Sequence, residues 1–372
     1  MAVPAWLLGL LAAFLVCWLI QLYFLLFRFA RLAFHKQGLT AMEVEAPVSI
    51  IICTRNNLAQ LKTLLAAIST QHYTRHEVVV VDDRSDEDTY DYLLQESRRG
   101  AFRLVRINQT PDHINAKKYA LTIGIKAARH PNLLLTDSDC EPHSPDWITQ
   151  MVAPLAAGAD VVLGYSPYKR QPGVLNLLIR FDGFFTALQY FSFALAGQPY
   201  MGVGRNMAYR RAFFFENKGF SRHAGITGGD DDLFVNQLSR TASVRLALAP
   251  EAFVFTDPKE RFGTWFHQKL RHLSVGKHYR LADKIRLGMF ITSLLLFYAL
   301  FIVLVSSYAL TYIALSMYMA RLALHTAILA KAAKRLKEEI SWIQLPLLDA
   351  WLPVYYLIFG LPALITRKIQ WK

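Results

Sequence analysis

The sequence predicts an α/β fold, a Rossmann-like domain with a mostly parallel sheet, flanked by transmembrane helices. Three observations carry this. Between Val48 and about residue 140, short apolar, often β-branched runs alternate with helix-period stretches, as expected for strands covered by helices on both faces. Polar clusters follow three of those runs directly. The apolar excess in a chain that is 53% hydrophobic gathers at its two ends.

The 372 residues suffice for one domain of about 200–250 residues plus membrane segments. Pro4 to Phe27 is apolar and uncharged, long enough to cross a hydrocarbon core of about 30 Å. No basic stretch precedes it and no small-residue cleavage site follows, so it reads as an anchor and not a signal peptide. Arg28, Arg31, His35 and Lys36 come next, which places the following domain on the cytoplasmic side. At the other end, Leu287 to Ala320 is too long for one span, and Ser306-Ser307 suggests a turn between two. Arg321 to Glu339 is basic and amphipathic, the pattern of an interfacial helix. Leu345 to Thr366 is apolar but holds Asp349 and three prolines, and Arg367, Lys368 and Lys372 follow. Its crossing or re-entering is left open. The expected organisation is an anchor with basic flank at 1–36, a cytoplasmic domain at 48–285 and membrane-associated helices at 287–372.

The formal charge of +13 raises the question of nucleic acid. The basic residues lie beside the apolar runs, where anionic headgroups suit them better, so no nucleic-acid partner is expected. Cys17, Cys53 and Cys140 are odd in number and far apart, which gives neither a disulfide framework nor a CxxC metal site.

Within the domain, Val48 to Cys53 reads as the first strand, Leu58 to Thr70 as a helix and Glu77 to Val81 as the second strand. Phe102 to Ile107 is a third strand, Ala116 to Arg129 a helix and Asn132 to Thr136 a fourth strand. Ligands of such sheets bind beyond the carboxyl ends of the strands. Those ends carry Thr54-Arg55-Asn56-Asn57, Asp82-Asp83 and Asp137-Ser138-Asp139. Two carboxylates at i and i+2 offer hard oxygens to Mn²⁺ or Mg²⁺, although alone such a motif is equally turn or cap chemistry. Further on, Gly228 to Asp232 ends in three consecutive carboxylates whose repulsion must be offset. One of them suits a general base. Gln268, Arg271 and His272 fall on one helical face. Gly202 to Asn206 reads as a tight loop where backbone approaches a ligand. Val174 to Leu195, rich in Phe, reads as an interfacial helix shaping a greasy entrance, or else as an ordinary core helix.

Taken in order, these motifs resemble the membrane-bound family-2 glycosyltransferases, over roughly Val48 to Arg280. The resemblance implies a GT-A fold and transfer of a hexosyl or N-acetylhexosaminyl group from a nucleotide sugar, a UDP-sugar on the family pattern, with inversion at the anomeric carbon. It implies donor-binding roles for Thr54, Asn56, Asp83, Lys117, Asp137, Gln268 and Arg271, with Asp137 and Asp139 as metal ligands for Mn²⁺ or Mg²⁺. The base is Asp230 counting back from Leu233, and Asp231 when the first two acids are paired as the family's Glu-Asp. Gly204, Arg205, Asn206 and His272 fall on the acceptor side. Two departures stand out: Gly or Asp replaces the usual Glu, and His272 replaces the Trp of QxxRW. That Trp belongs to polymer-forming members, so the expected acceptor is a membrane lipid. A growing glycan, as in a processive polysaccharide synthase, is the alternative. A catalytically silent scaffold and a nucleotidyltransferase remain as rival classes, separated by donor turnover and by the product released.

Overall fold

In the computed structural model, residues 4–36 and 45–366 are described. The basic tail Arg367, Lys368 and Lys372 lies outside them.

The centre is a seven-stranded sheet. Its strands are β1 (Val48–Thr54), β2 (His76–Asp83), β3 (Arg103–Ile107), β4 (Asn132–Asp137), β6 (Val161–Gly164), β7 (Met207–Arg210) and β8 (Val244–Ala247); β5 (Cys140–Pro142) pairs with β9 (Val254–Thr256) in a separate ribbon. The order is β3-β2-β1-β4-β7-β6-β8. The first four strands are parallel, and β7 runs antiparallel to both β4 and β6. The sheet is therefore mixed but mostly parallel, as expected.

The strands run one or two residues longer than their apolar cores, because the polar residues that follow stay in the ladder. Thr54 pairs with Asp82 and Cys53 with Asp137. The chemistry-bearing residues thus share one sheet edge by register alone. Alternate side chains point to opposite faces. Ile50, Ile52 and Val80 pack against Leu61, Leu64 and Ile68 of the helix Leu58–Ser69. Ile51, Val79 and Val81 face Ala120, Leu121 and Ile125 of the helix Ala116–Ala127. This second helix lies so close that a Cβ on Gly124 would come 2.8 Å from both Ile51 and Val81.

The same apolar cluster continues from the sheet into the membrane helices, through Phe181, Phe184, Phe185, Phe24, Phe29, Phe290 and Leu329. The Phe-rich helix Val174–Leu195 is therefore mainly core, with its ends and one strip left to the solvent or cavity. Among the described residues, four helices are long and apolar enough to cross a membrane: Ala5–Ala33, Leu281–Ser306, Thr311–Arg335 and Leu345–Ile365. The expected break at Ser306-Ser307 is present.

One expectation is corrected. Arg321 to Glu339 is not a separate interfacial helix, since its first part continues the span Thr311–Arg335. Arg321 and His325 are buried and face Asp349, which is 0% exposed. Tyr298 Oη donates to Asp349 at 2.6 Å, and Arg321 Nη2 donates to Gln21 Oε1 at 3.1 Å. The counter-charge sits in the next helix, so charge spacing within one segment assigned Arg321 to the headgroups when it belongs to a packed polar staple.

Candidate active site

Three loops at the carboxyl edge of the sheet are sewn to one another. Asn56 adopts φ +50; its backbone N–H donates to Ser85 Oγ at 3.0 Å and its Oδ1 accepts from the Asp86 N–H at 2.7 Å. Asn57 Nδ2 donates to Ser138 Oγ at 3.0 Å. This fixes the loops after β1, β2 and β4 relative to one another. Thr54 is buried, with its hydroxyl unpartnered. Asp83 is held by Arg84 Nε at 2.8 Å. Asp82, by contrast, is fully buried and accepts from the Ser85 N–H, so it shapes the turn.

Lys117, on the first turn of the helix Ala116–Ala127, bridges two acidic elements. Its Nζ lies 2.9 Å from Asp137 Oδ1 and 3.3 Å from Asp230 Oδ2. Burial opposes its charge, but the carboxylates of Asp137, Asp230 and Asp231 outweigh burial and hold its pKa well above the ordinary lysine value. Burial also pulls Asp137 upward; Lys117, with Arg205 and Arg271, brings it below the usual carboxylate value. Asp139 is exposed at the rim.

The acidic run is aimed by its glycines. Gly228 and Gly229 take φ +78 and +74, a region that favours glycine, and the turn delivers Asp230 to the cavity. Burial, with Asp231 and Asp137 adding to it, raises the Asp230 pKa above the usual carboxylate value, against the pull of Lys117. Asp231 is engaged differently. Its two oxygens accept from the backbone N–H of Gly204 at 2.7 Å and of Asp232 at 2.8 Å. Asp232 accepts from Tyr279 Oη at 2.8 Å. All three acids border the cavity, but they divide by partner: one pairs with Lys117, one holds backbone and one is buried against a tyrosine.

Gln268, Arg271 and His272 line the same cavity from the helix Phe262–Val275. His272 is held well below the ordinary imidazole value by burial and then by Lys269, Arg271, Arg205 and Lys117, so it faces the cavity as a neutral ring. Arg205 donates to Ser166 Oγ at 2.6 Å and stacks on Tyr168. Asn206 is not on the cavity wall. It is fully buried, accepts from Trp147 Nε1 at 3.0 Å and donates to the carbonyls of Tyr165 and Ala252 at 2.7 and 2.8 Å. The glycines before it also answer to packing: a Cβ at Gly202 would meet Leu163 at 2.9 Å, and one at Gly204 the Asp231 side chain at 3.3 Å.

Other residues were missed. Lys118 is buried and donates to the carbonyls of His223 and Ile226 at 2.6 and 2.9 Å, tying down the chain that leads to Gly228. Burial pushes its pKa down to about 8. Lys269 and Asp182 form a buried ion pair at 2.7 Å in the cavity wall. The signal for that pair was present, since Arg180 and Asp182 are the two charges in an otherwise uncharged helix.

All these cavity residues border one space of about 1800 Å³. It runs from Thr54, Asp83 and Asp139 at the strand ends, past Asp230 and Arg271, to Leu287, Ile291 and Leu361 on the membrane helices. Among the described residues, no three His, Cys, Asp or Glu side chains form a ready-made metal cage.

A glycosyl transferase family 2 model matches residues 49–216, and a glycosyl transferase family group 2 model matches residues 144–358. One curated relative, the uncharacterized protein y4gI of Sinorhizobium fredii, is 33% identical over 124 residues; the match spans 32% of this chain and only 13% of that protein. Among solved structures, the mannosyltransferase PcManGT of Pyrobaculum calidifontis, in complex with GDP-Man and Mn²⁺, covers 97% of this chain and 99% of its own, with a TM-score of 0.58 and 18% identity. The S. aureus TarS 1-349 structure covers 84% of this chain and 91% of its own at 14% identity, with a TM-score of 0.45. The first of these shares the fold of this chain. With the group 2 model spanning more than half of its length, the chain belongs to the family-2 glycosyltransferases.

Proposed function

We propose that this glycosyltransferase moves one sugar from a nucleotide-sugar donor to a hydroxyl or phosphate oxygen of a membrane lipid, with inversion at the anomeric carbon. The observation that carries the reading is the single cavity joining the polar strand ends to apolar residues of two membrane helices. A sugar nucleotide fits the first end and a lipid tail the second.

On this reading Thr54, Asn56 and Asp83 hold the nucleoside, and the unpartnered Thr54 hydroxyl gains a partner. Asp137 and Asp139 present the hard-oxygen set that Mn²⁺ or Mg²⁺ takes when the substrate diphosphate completes its shell; when bound, the ion offsets charge on the leaving group. Where the acceptor is a hydroxyl, Asp230 takes its proton; an ionised phosphate oxygen has none to lose. The acceptor oxygen bonds to the anomeric carbon, and the carbon–oxygen bond to the diphosphate breaks, its electron pair leaving with the nucleoside diphosphate. Arg271 and Lys117 face the developing negative charge. Asp231, with both oxygens on backbone N–H groups, positions the Gly204 loop and the acidic turn. Arg28 and Arg31 after the first span support a cytoplasmic side for the domain.

The test is a screen of nucleotide sugars with purified protein, with and without Mn²⁺, in the presence of a total lipid extract. The reading expects metal-dependent release of nucleoside diphosphate that rises with lipid. Release of pyrophosphate, or no turnover of any donor, would overturn it.

A further inference from the structure

The helix Leu345–Ile365 is long enough to cross a membrane, but its two flanks are fastened to the same body. On the entering side, the Glu338 carboxylate accepts from Tyr165 Oη at 2.6 Å and from Arg180 Nη2 at 2.9 Å. Tyr165 follows β6 directly, and Arg180 lies on the Phe-rich helix. On the leaving side, Lys277 Nζ donates to the Thr366 carbonyl at 2.5 Å. Phe359 packs on Trp265 with ring centroids 4.7 Å apart, and on Phe262 at 5.8 Å. Glu338 and Thr366 therefore both sit against the catalytic domain. A spanning helix of this length rises about 30 Å and puts its ends on opposite faces. This one does not.

Its early part goes deeper. Asp349 meets Arg321, His325 and Tyr298 on the two preceding membrane helices. Outward-facing residues Leu347, Val354, Leu357, Leu361 and Leu364 recur every three, four or seven positions and are all exposed, which makes one apolar stripe along the helix. Leu361 and Leu364, at the end of this stripe, also border the catalytic cavity, together with Leu287, Ile291 and Leu295 of Leu281–Ser306.

We propose that residues 338–366 form a re-entrant hairpin instead of a fourth span, and that its helix and Leu281–Ser306 frame a side portal. Through it, the hydrocarbon chain of the acceptor enters from the leaflet beside the catalytic domain. The chain then crosses the membrane three times, with its N-terminus on the face opposite to both the catalytic domain and the C-terminus. The portal rests on the lipid-acceptor reading above; the hairpin rests on packing alone.

Two measurements test it. In a background with Cys17, Cys53 and Cys140 replaced by Ala, single cysteines are placed at Arg98 in the domain, at Tyr308 in the turn between spans and after Lys372. They are labelled with a membrane-impermeant maleimide in sealed vesicles and normalised to labelling in detergent. The terminal cysteine should label from the same side as Arg98→Cys and opposite to Tyr308→Cys. Labelling with Tyr308→Cys instead means a fourth crossing and overturns the hairpin. For the portal, Gly288 lines the cavity, and a Cβ there would meet nothing within 4 Å. Gly288→Trp should raise the KM for the lipid acceptor tenfold or more while the donor KM holds. An unchanged acceptor KM overturns the portal. If no variant, wild type included, transfers sugar to lipid, the acceptor reading fails while the labelling still decides the hairpin.

Discussion

The two ends of the cavity are built by different rules. The end proposed to take the donor is made of short polar loops at the edge of a parallel sheet, and its side chains are locked in place: Asn57 on Ser138, Asn56 on the Asp86 backbone N–H, Lys117 on Asp137 and Asp230. The end proposed to take the acceptor is made of helices contributed by distant parts of the chain, and its polar contacts are buried pairs such as Lys269–Asp182. One end is organised by local sequence and strand register, the other by tertiary packing. Substitutions at the first should act on chemistry and on metal; those at the second should act on acceptor use or on stability.

The largest effect is expected at Asp230. Asp230→Asn removes the proposed base and should lower kcat by about 10³ to 10⁴, with the donor KM nearly constant. The folded pKa of Asp230 is raised, so its contribution to stability is present at low pH and is lost as pH rises through that raised value. At neutral pH the amide should therefore leave Tm equal or higher. Asp231→Asn should lower kcat less and should also lower Tm, because the amide keeps one oxygen and turns its NH2 toward the other backbone N–H, so that either Gly204 or Asp232 loses its acceptor. The reverse ranking would exchange the two roles.

Asp139→Ala should cut metal-dependent turnover by about 10² or more and leave the far-UV circular dichroism unchanged. Unaltered metal dependence would remove the metal-ligand argument. Lys117→Met should cost about tenfold to a hundredfold in kcat/KM and should also move the pH profile. Lys117 holds the Asp230 pKa down. Without it that pKa rises, so the acid limb of kcat/KM, below which the base is protonated, shifts to higher pH. A limb that stays put or moves down contradicts the pairing.

Asn206→Ala tests the contrast from the other end. It strands the Trp147 indole N–H and two buried carbonyls, at a cost of about 1–3 kcal/mol for each buried group left unmade. A large drop in Tm with an unchanged acceptor profile is expected. The smallest effect is His272→Trp, which should change acceptor preference a few-fold while metal-dependent donor turnover holds; an unchanged profile places His272 away from the acceptor.

The same division explains what was legible in the sequence. β1, β2 and β4 announced themselves as apolar runs, and the period-2 alternation of Ile50, Ile51 and Ile52 dictates helices on both faces. Strand order and the antiparallel β7 were not visible, since pairing partners far apart in sequence leave no local mark. Asn206 was read as a ligand-facing loop residue because its partners, Trp147, Tyr165 and Ala252, lie 41 to 59 positions away. Arg321 was given to the headgroups for the same reason, its acid lying on another helix. Lys118 carries no sequence signal that separates it from Lys117. In a helix the two point in different directions, one to carboxylates and the other to carbonyls.

The most direct test of the account is the product itself. Purified protein in lipid nanodiscs, given the labelled nucleotide sugar that turns over and Mn²⁺, should yield labelled lipid bearing one sugar, with one nucleoside diphosphate released per lipid labelled. A ladder of long products, or nucleoside diphosphate released without labelled lipid, would contradict it.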